Sequence, residues 1–156
     1  MPILTKLRDY LYRNGVPYEV ISHRQAFTAQ EVAQAEHISG KELAKVVMLR
    51  SGKHFFMVVL PAPFRVDLDK AKVALQSPDM VLATEEDFAG LFPQCEPGAM
   101  PPFGNLYDLP VYVDESLTKD ESIDFPAGNH TQTVRMKYAD FTRTVQPKIV
   151  SVAARH

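Results

Sequence analysis

Apolar residues recur along this chain at two different spacings, and the spacing predicts where helices and strands lie. From Leu4 to about Arg13, leucines are three and four residues apart, which is the spacing of one helical face. Asn14-Gly15 predicts the end of this helix. The following residues, Val16 to Ile21, are predicted to form a short strand.

Two apolar runs in the first half predict a β-hairpin. Val46–Leu49 and Phe55–Leu60 are separated by the polar turn Ser51-Gly52-Lys53. Their nearly continuous apolar character is typical of strands that are buried on both faces.

Two helices are predicted before this hairpin. Thr28 and Ser39 are each followed three residues later by a glutamate, which is the spacing of a capping box. The first helix is predicted to run to about Glu36, and the second to lead directly into the first hairpin strand. Lys45 is therefore predicted to lie at the junction of a helix and a central strand.

The second half of the chain is predicted to contain short elements separated by turns. First come a helix capped by Asp67, a strand at Val81–Ala83 and a helix capped by Thr84 and Asp87. An irregular stretch from Pro93 to Leu109 then leads to a strand at Val111–Val113. Two paired strands follow at Ile123–Phe125 and Thr131–Met136, joined by a turn at Gly128-Asn129, and a last helix runs from Lys137 to Thr144.

This order of elements predicts a mixed α/β fold. We expect a curved, barrel-like mixed sheet of about six or seven short strands with helices packed outside it. No repeat or linker interrupts the 156 residues, so residues 1–156 are predicted to form a single domain.

Composition and charge limit the possible functions. The single cysteine favours a reducing compartment, and neither a signal peptide nor a membrane-spanning run is evident, so a soluble cytoplasmic protein is expected. A net charge of −2 argues against tight, non-specific binding to nucleic acid. A local basic patch of Lys41, Lys45, Arg50 and Lys53 could still meet a tRNA end, although scattered solvated charges explain these residues equally well.

Common catalytic signatures are absent from the sequence. It contains no Gly-x-Ser-x-Gly elbow, no phosphate-binding Gly-x-x-x-x-Gly-Lys and no dinucleotide fingerprint. The five histidines show no metal-ligand spacing, so neither a metal nor another cofactor is expected. Cys95 is not paired with a base in any recognisable pattern, and a small neutral thiol explains it better than a nucleophile does.

Lys45 is the main candidate for chemistry because it begins an apolar strand. One interpretation is an amphipathic lysine with a buried stem and a solvated head. The other is a cation held at the mouth of a pocket, where it would bind a ribose, phosphate or carbonyl oxygen.

A second candidate is the loop from Gly98 to Gly104. Pro101 and Pro102 make it stiff, and its flanking glycines allow the backbone to approach a ligand closely. Its backbone N–H groups could form an oxyanion hole, or the loop could be a structural turn with Phe103 as a core plug. His130 follows the Gly128-Asn129 turn and could transfer a proton, although a lone histidine at a turn is more often a surface residue.

Taken together, these segments resemble the YbaK/ProX-type aminoacyl-tRNA deacylases, which are related to the editing domain inserted in bacterial prolyl-tRNA synthetases. The resemblance covers nearly the whole chain. It is carried by the order of His23, Phe27–Ala33, Leu43-Ala44-Lys45, Arg65–Leu68, Gly98–Gly104, Val113–Leu117 and Ala127-Gly128.

The resemblance implies removal of a wrong amino acid from mischarged tRNA by a trans-editing deacylase. It implies Lys45 as the catalytic residue, without a protein nucleophile. It implies substrate contacts from a set of nearby residues: Val46, Gly98, Ala99, Met100, Pro101, Phe103, Gly104, Gly128 and His130. The expected partners are the acceptor end of aminoacyl-tRNA and an aminoacyl-tRNA synthetase, whereas the oligomeric state is not predicted.

Two departures from the family pattern put the amino-acid preference in doubt. Phe92-Pro93-Gln94 precedes the loop where many relatives carry a glycine, and Val46 follows the lysine where some alanine-editing members carry a polar residue. Two alternatives to the enzyme remain: a non-catalytic module that binds aminoacyl-tRNA or a synthetase, and an unrelated small-molecule hydrolase on a similar fold.

Overall fold

A computed structural model describes residues 4–23 and 43–155. The helices predicted to begin at Thr28 and Ser39 lie outside the described residues. Within these described residues, the α-helices are α1 (Thr5–Arg13), α2 (Leu68–Ala74), α3 (Glu85–Phe88) and α4 (Tyr138–Val145). The strands are β1 (Glu19–Ser22), β2 (Ala44–Ser51), β3 (His54–Pro61), β4 (Phe64–Val66), β5 (Val81–Leu82), β6 (Val111–Asp114), β7 (Ser122–Pro126), β8 (Gln132–Lys137), β9 (Lys148–Val150) and β10 (Ala153–Arg155). Three short 3-10 helices cover Ala89–Leu91, Gly104–Tyr107 and Glu115–Lys119.

The central sheet has five strands in the order β5-β2-β3-β6-β9. The predicted hairpin is confirmed: β2 and β3 pair antiparallel, from Ala44 opposite Pro61 to Ser51 opposite His54. On the other side of β3, β6 and then β9 are added in parallel. The sheet is therefore mixed, as predicted.

The two faces of the central sheet are covered by different apolar clusters. The large core cluster includes Met57 and Val59 of β3 together with side chains of α1, β7, β8 and α4. The small core cluster includes Val58 and Leu60 of β3, on the opposite face, with Ala71 of α2. Because β3 is buried on both faces, its sequence is apolar at consecutive positions.

Two smaller sheets complete the described fold. One has the order β1-β8-β7 and is antiparallel, and the other pairs β10 with β4. The mixed α/β class is confirmed, but the described residues contain ten strands and not six or seven, and the three sheets do not close into a barrel. The strands that were not predicted, β4, β9 and β10, are three residues long each, which is too short to show a period of two.

The predicted caps of α2 and α3 are confirmed. Asp67 accepts hydrogen bonds from the N–H groups of Asp69 at 3.0 Å and Lys70 at 3.2 Å. Thr84 and Asp87 form a reciprocal capping box. The helix after Thr84 has a single α-turn that continues as a 3-10 turn.

One predicted strand begins later than expected. β1 starts at Glu19 because Val16 donates its N–H to Leu11 at the end of α1, and Pro17 has no N–H to pair. Among the described residues, no helix combines the length and the apolar character that crossing a membrane would require.

Candidate functional site

Lys45 is the second residue of β2 and lies opposite Leu60 of β3. Successive side chains of a strand point to opposite faces. Lys45 therefore shares the face of Val47, which packs against the small core cluster, whereas Val46 packs against the large one. The Lys45 side chain is half-buried, and loss of hydration lowers the pKa of its ammonium.

The start of β2 lies next to the end of β7. Leu43 forms an isolated parallel bridge with Asp124, so the first residues of β2 lie beside β7. Pro126 ends β7 and is followed by Ala127 and Gly128. The fold therefore places the Lys45 backbone close to the turn that carries Gly128 and His130.

The Gly128 turn is hydrogen-bonded to the beginning of the Gly98–Gly104 loop. The N–H of Gly128 donates to the carbonyl of Ala99 at 2.8 Å, and the N–H of Glu96 donates to the carbonyl of Gly128 at 2.8 Å. His130 is buried, and its Nε2 donates to the carbonyl of Pro97 at 2.7 Å. A carbonyl oxygen only accepts, so Nε2 carries the proton. We call this arrangement of residues 96–99 with residues 128–130 the loop–turn clamp.

Both glycines of the clamp have backbone conformations that disfavour other residues. The φ of Gly128 is +103° and the φ of Gly98 is +82°. A Cβ at Gly128 would lie 3.0 Å from the Cβ of Leu4, because Leu4 donates its N–H to Ala127 at 3.0 Å. A Cβ at Gly98 would contact His130 Cε1 at 3.8 Å, an ordinary distance.

The second half of the Gly98–Gly104 loop is buried. Met100 is 5% exposed, Pro101 and Pro102 are buried, and Phe103 is fully buried. The Phe103 ring packs against the rings of Tyr10, Phe125 and Phe141, with centroids 5.5–6.1 Å apart. Phe103 therefore packs in the core, as expected if the loop is structural.

Gly104 also has a packing role. A Cβ there would approach Cγ2 of Val111 to 2.8 Å, so the position requires a glycine for close contact with β6. Substrate contacts from Phe103 and Gly104 stay predictions. Solvent reaches this segment at its beginning, where Pro97 and Gly98 are exposed.

The sequence from residue 23 to residue 144 matches the family model of the aminoacyl-tRNA editing domain. This match covers more than half of the chain. The protein belongs to the aminoacyl-tRNA editing domain family.

Known structures with the same fold include three close matches to this editing domain. A hypothetical protein superposes with a TM-score of 0.85 at 16% identity, covering 96% of this chain and 99% of its own. A candidate trans-editing enzyme for prolyl-tRNA synthetase gives 0.82 at 22% identity, covering 96% and 95%. A scaffold protein used for epitope grafting gives 0.83 at 21% identity, covering 97% and 96%. At these identities the likeness establishes the fold. No curated protein matches the sequence significantly.

The predicted basic patch of this editing domain does not form as one surface. Arg50 lies five residues after Lys45, and hence on the opposite face of β2, where it pairs with Asp87 at 3.1 Å. Lys53 lies in the hairpin turn at the far end of β2. Lys41 lies outside the described residues. The described cations of this set therefore lie on separate surfaces and do not form one basic patch.

Cys95 is half-buried beside Tyr107, with its Sγ 3.8 Å from the phenol oxygen. Burial raises the pKa of the Cys95 thiol, and the hydrogen bond with Tyr107 only partly opposes this. A neutral thiol is a poor nucleophile. The part of the chain that the structure describes contains no cluster of His, Cys, Asp and Glu suited to a metal ion.

Sequence reasoning missed the contribution of Asn129 to the site. Its Oδ1 accepts from the N–H of Thr131 at 2.9 Å and from the Thr131 hydroxyl at 3.0 Å. This Asx turn determines the backbone path on either side of His130. The signal was present in the sequence, because an asparagine side chain commonly bonds the backbone two residues further along the chain.

Proposed function

We propose that the protein is a trans-editing deacylase that hydrolyses the ester bond of mischarged tRNA carrying a small amino acid. The observation that carries this proposal is the position of Lys45. A partly desolvated cation begins a central strand beside the end of β7, and the turn after β7 is bonded to the loop at Pro97 and Ala99. Membership of the editing domain family supplies the class of substrate.

The proposed chemistry needs no protein nucleophile. Water attacks the ester carbonyl and gives up a proton. The bond between the acyl carbon and the ribose oxygen then breaks, and the departing ribose oxygen takes up a proton. Negative charge develops on the carbonyl oxygen, where the Lys45 ammonium stabilises it. Partial burial strengthens that interaction, because competing water is reduced.

The beginning of the loop is the best source of a second stabilising group. The N–H of Ala99 already donates to Glu96 at 3.0 Å, so it does not serve this role. The N–H of Gly98 is in the exposed part of the loop and has no backbone acceptor among the described residues. We therefore assign it as the oxyanion donor.

His130 acts as a positioning residue in this scheme. Its Nε2–H is engaged by the Pro97 carbonyl, and its ring lies next to Gly98. It therefore holds the Pro97–Gly98 peptide, whose N–H is the proposed oxyanion donor. Met100, Pro101 and Gly128 support the same backbone through burial and through the clamp.

Selectivity for small amino acids is proposed from the stiffness of the loop. Pro101 and Pro102 are buried, so the loop cannot easily widen to admit a large side chain. Val46 points to the opposite face from Lys45 and packs against the large core cluster, which also contains Met100 and Phe103, so its proposed contribution to selectivity is on the side of the loop. Excluding a bulky side chain from a packed pocket is worth about 1–3 kcal/mol, whereas a near-isostere is hard to reject.

A panel of aminoacyl-tRNAs tests the proposed function. The protein is incubated with tRNAs carrying alanine, serine, threonine, cysteine, leucine or phenylalanine, and ester loss is compared with spontaneous hydrolysis. We expect the protein to hydrolyse more than one small aminoacyl-tRNA faster than the spontaneous reaction. The leucyl- and phenylalanyl-tRNAs should lose their amino acids only at the spontaneous rate. Binding without hydrolysis would instead indicate a binding module, and efficient hydrolysis of phenylalanyl-tRNA would refute the small pocket. Adding a synthetase to the same assay tests whether it is a partner.

A further inference from the structure

An apolar cleft of about 260 Å³ lies against the loop, and Lys45 is not among its lining residues. It is formed mainly by the segment from α3 to the start of the loop. The lining residues are Glu85, Glu86, Phe88, Ala89, Phe92, Cys95, Glu96, Pro97 and Met100.

The floor of the cleft is aromatic and well packed. The rings of Phe88 and Phe92 meet edge to face with centroids 6.2 Å apart, and both residues are largely buried. Behind them, the ring of Tyr107 packs against Phe92 at 4.9 Å. Because these rings hold each other in place, the shape of the cleft floor is fixed by packing and does not depend on the rotamer of a single side chain.

The rim of the cleft is acidic. Glu85 and Glu86 are exposed and Glu96 is half-buried, and none of them forms an ion pair with another described residue. None of the described residues that line the cleft is a lysine or an arginine. Two described cations lie near this segment: Arg50 is paired with Asp87 of α3 at 3.1 Å, and the Nζ of Lys6 lies over the ring of Tyr107 at 4.7 Å. The cleft therefore disfavours anions, including the phosphates of a tRNA.

We propose that this cleft is a binding site for a small primary ammonium compound with an apolar body. Carboxylates and aromatic faces together recognise an alkylammonium group, because both attract the cation while the apolar floor takes the hydrocarbon. The volume is slightly below the usual range for drug-sized ligands, so the occupant is a single ring or a short alkyl chain. The site goes beyond the proposed deacylase activity and does not depend on it.

The test is a titration of the ¹⁵N-labelled protein followed by NMR. The probe is 2-phenylethylammonium chloride, and 3-phenylpropionate and 2-phenylethanol are the anionic and neutral analogues. We expect saturable shifts of the amides of Ala89, Gly90 and Cys95, with a dissociation constant for the amine of about 1–10 mM. The alcohol should bind more weakly and the carboxylate not measurably.

Matched variants separate a specific site from non-specific attraction to an acidic protein. Glu86→Gln removes a rim carboxylate, and Glu19→Gln makes the same change of charge on exposed β1. We expect Glu86→Gln to weaken binding of the amine about two- to five-fold without affecting the alcohol, and Glu19→Gln to change neither. Ala89→Phe should fill the cleft and abolish the shifts. Equal binding of amine and carboxylate, equal effects of the two glutamate variants, or no saturable shift would overturn the proposal.

Discussion

Replacing Gly128 with alanine tests whether the loop–turn clamp requires its unusual backbone. Gly128 has a φ of +103°, and both its N–H and its carbonyl are bonded to the segment from Glu96 to Ala99. A methyl group at this position would lie 3.0 Å from the Cβ of Leu4. Either the turn must rotate, which breaks the two clamp bonds, or α1 must move away.

The expected loss of stability follows from these two effects. Holding alanine in a backbone region that favours glycine costs about 1–3 kcal/mol. The close contact with Leu4 adds about 1 kcal/mol, because both backbones are held by hydrogen bonds and can yield only by a few tenths of an ångström. We therefore expect Gly128→Ala to lower the free energy of unfolding by about 2–4 kcal/mol.

Chemical denaturation measures this loss, with Gly52→Ala as the matched control. Gly52 also has a positive φ, +60°, but a Cβ there meets nothing within 4 Å. Its replacement should cost only about 1 kcal/mol, the backbone effect alone. If the two variants lose the same free energy of unfolding within about 0.5 kcal/mol, then neither the contact with Leu4 nor the clamp bonds add to the cost of alanine at position 128.

Three further predictions follow from the described contacts. Asp114 is buried, and its carboxylate accepts hydrogen bonds from the N–H groups of Val152 at 2.8 Å and Ala153 at 2.9 Å and from Ser116. Burial raises the pKa of the Asp114 carboxyl, but these hydrogen bonds outweigh the effect of burial and lower the pKa overall. The carboxylate therefore stabilises the fold above about pH 4, and this stabilisation is lost as the pH falls through the folded-state pKa. In chemical denaturation, Asp114→Asn should be less stable than the wild type by about 1–3 kcal/mol at pH 7, and the difference should be smaller in acid. Cys95→Ser and treatment with a chelator should each leave the deacylation rate nearly unchanged, and a large loss in either assay would indicate a nucleophile or a metal. If residues 1–156 form one domain, calorimetry should show a single unfolding transition with matching calorimetric and van't Hoff enthalpies, and two resolved transitions would contradict this.

The sequence was most informative where apolar spacing or caps act locally. The leucines of α1, the hairpin of β2 and β3, and the caps at Asp67 and Thr84 all depend on residues close in the chain. Their prediction therefore required no knowledge of the tertiary structure.

Features that depend on distant contacts could not be predicted in the same way. The three-residue strands β9 and β10 form because β6 and β4 offer free edges, and not because of their own periodicity. Likewise, Lys45 and Val46 are adjacent in sequence but point to opposite faces, which follows only once both are known to lie within β2. The burial of Phe103 depends on rings from α1, β7 and α4, which only the folded chain brings together.

The variant Lys45→Ala shows whether the Lys45 ammonium stabilises the transition state of ester hydrolysis. The substrate is the small aminoacyl-tRNA that the wild-type protein hydrolyses fastest, and Lys53→Ala, in the turn of the same hairpin, is the control. Since Lys45 is only half-buried at the start of β2, the variant should fold normally, with a melting temperature close to that of the wild type. We predict that Lys45→Ala lowers kcat/KM at least ten-fold, about 1.4 kcal/mol, while Lys53→Ala does not. A folded Lys45→Ala variant that retains activity within about two-fold of the wild type would show that Lys45 does not stabilise the transition state.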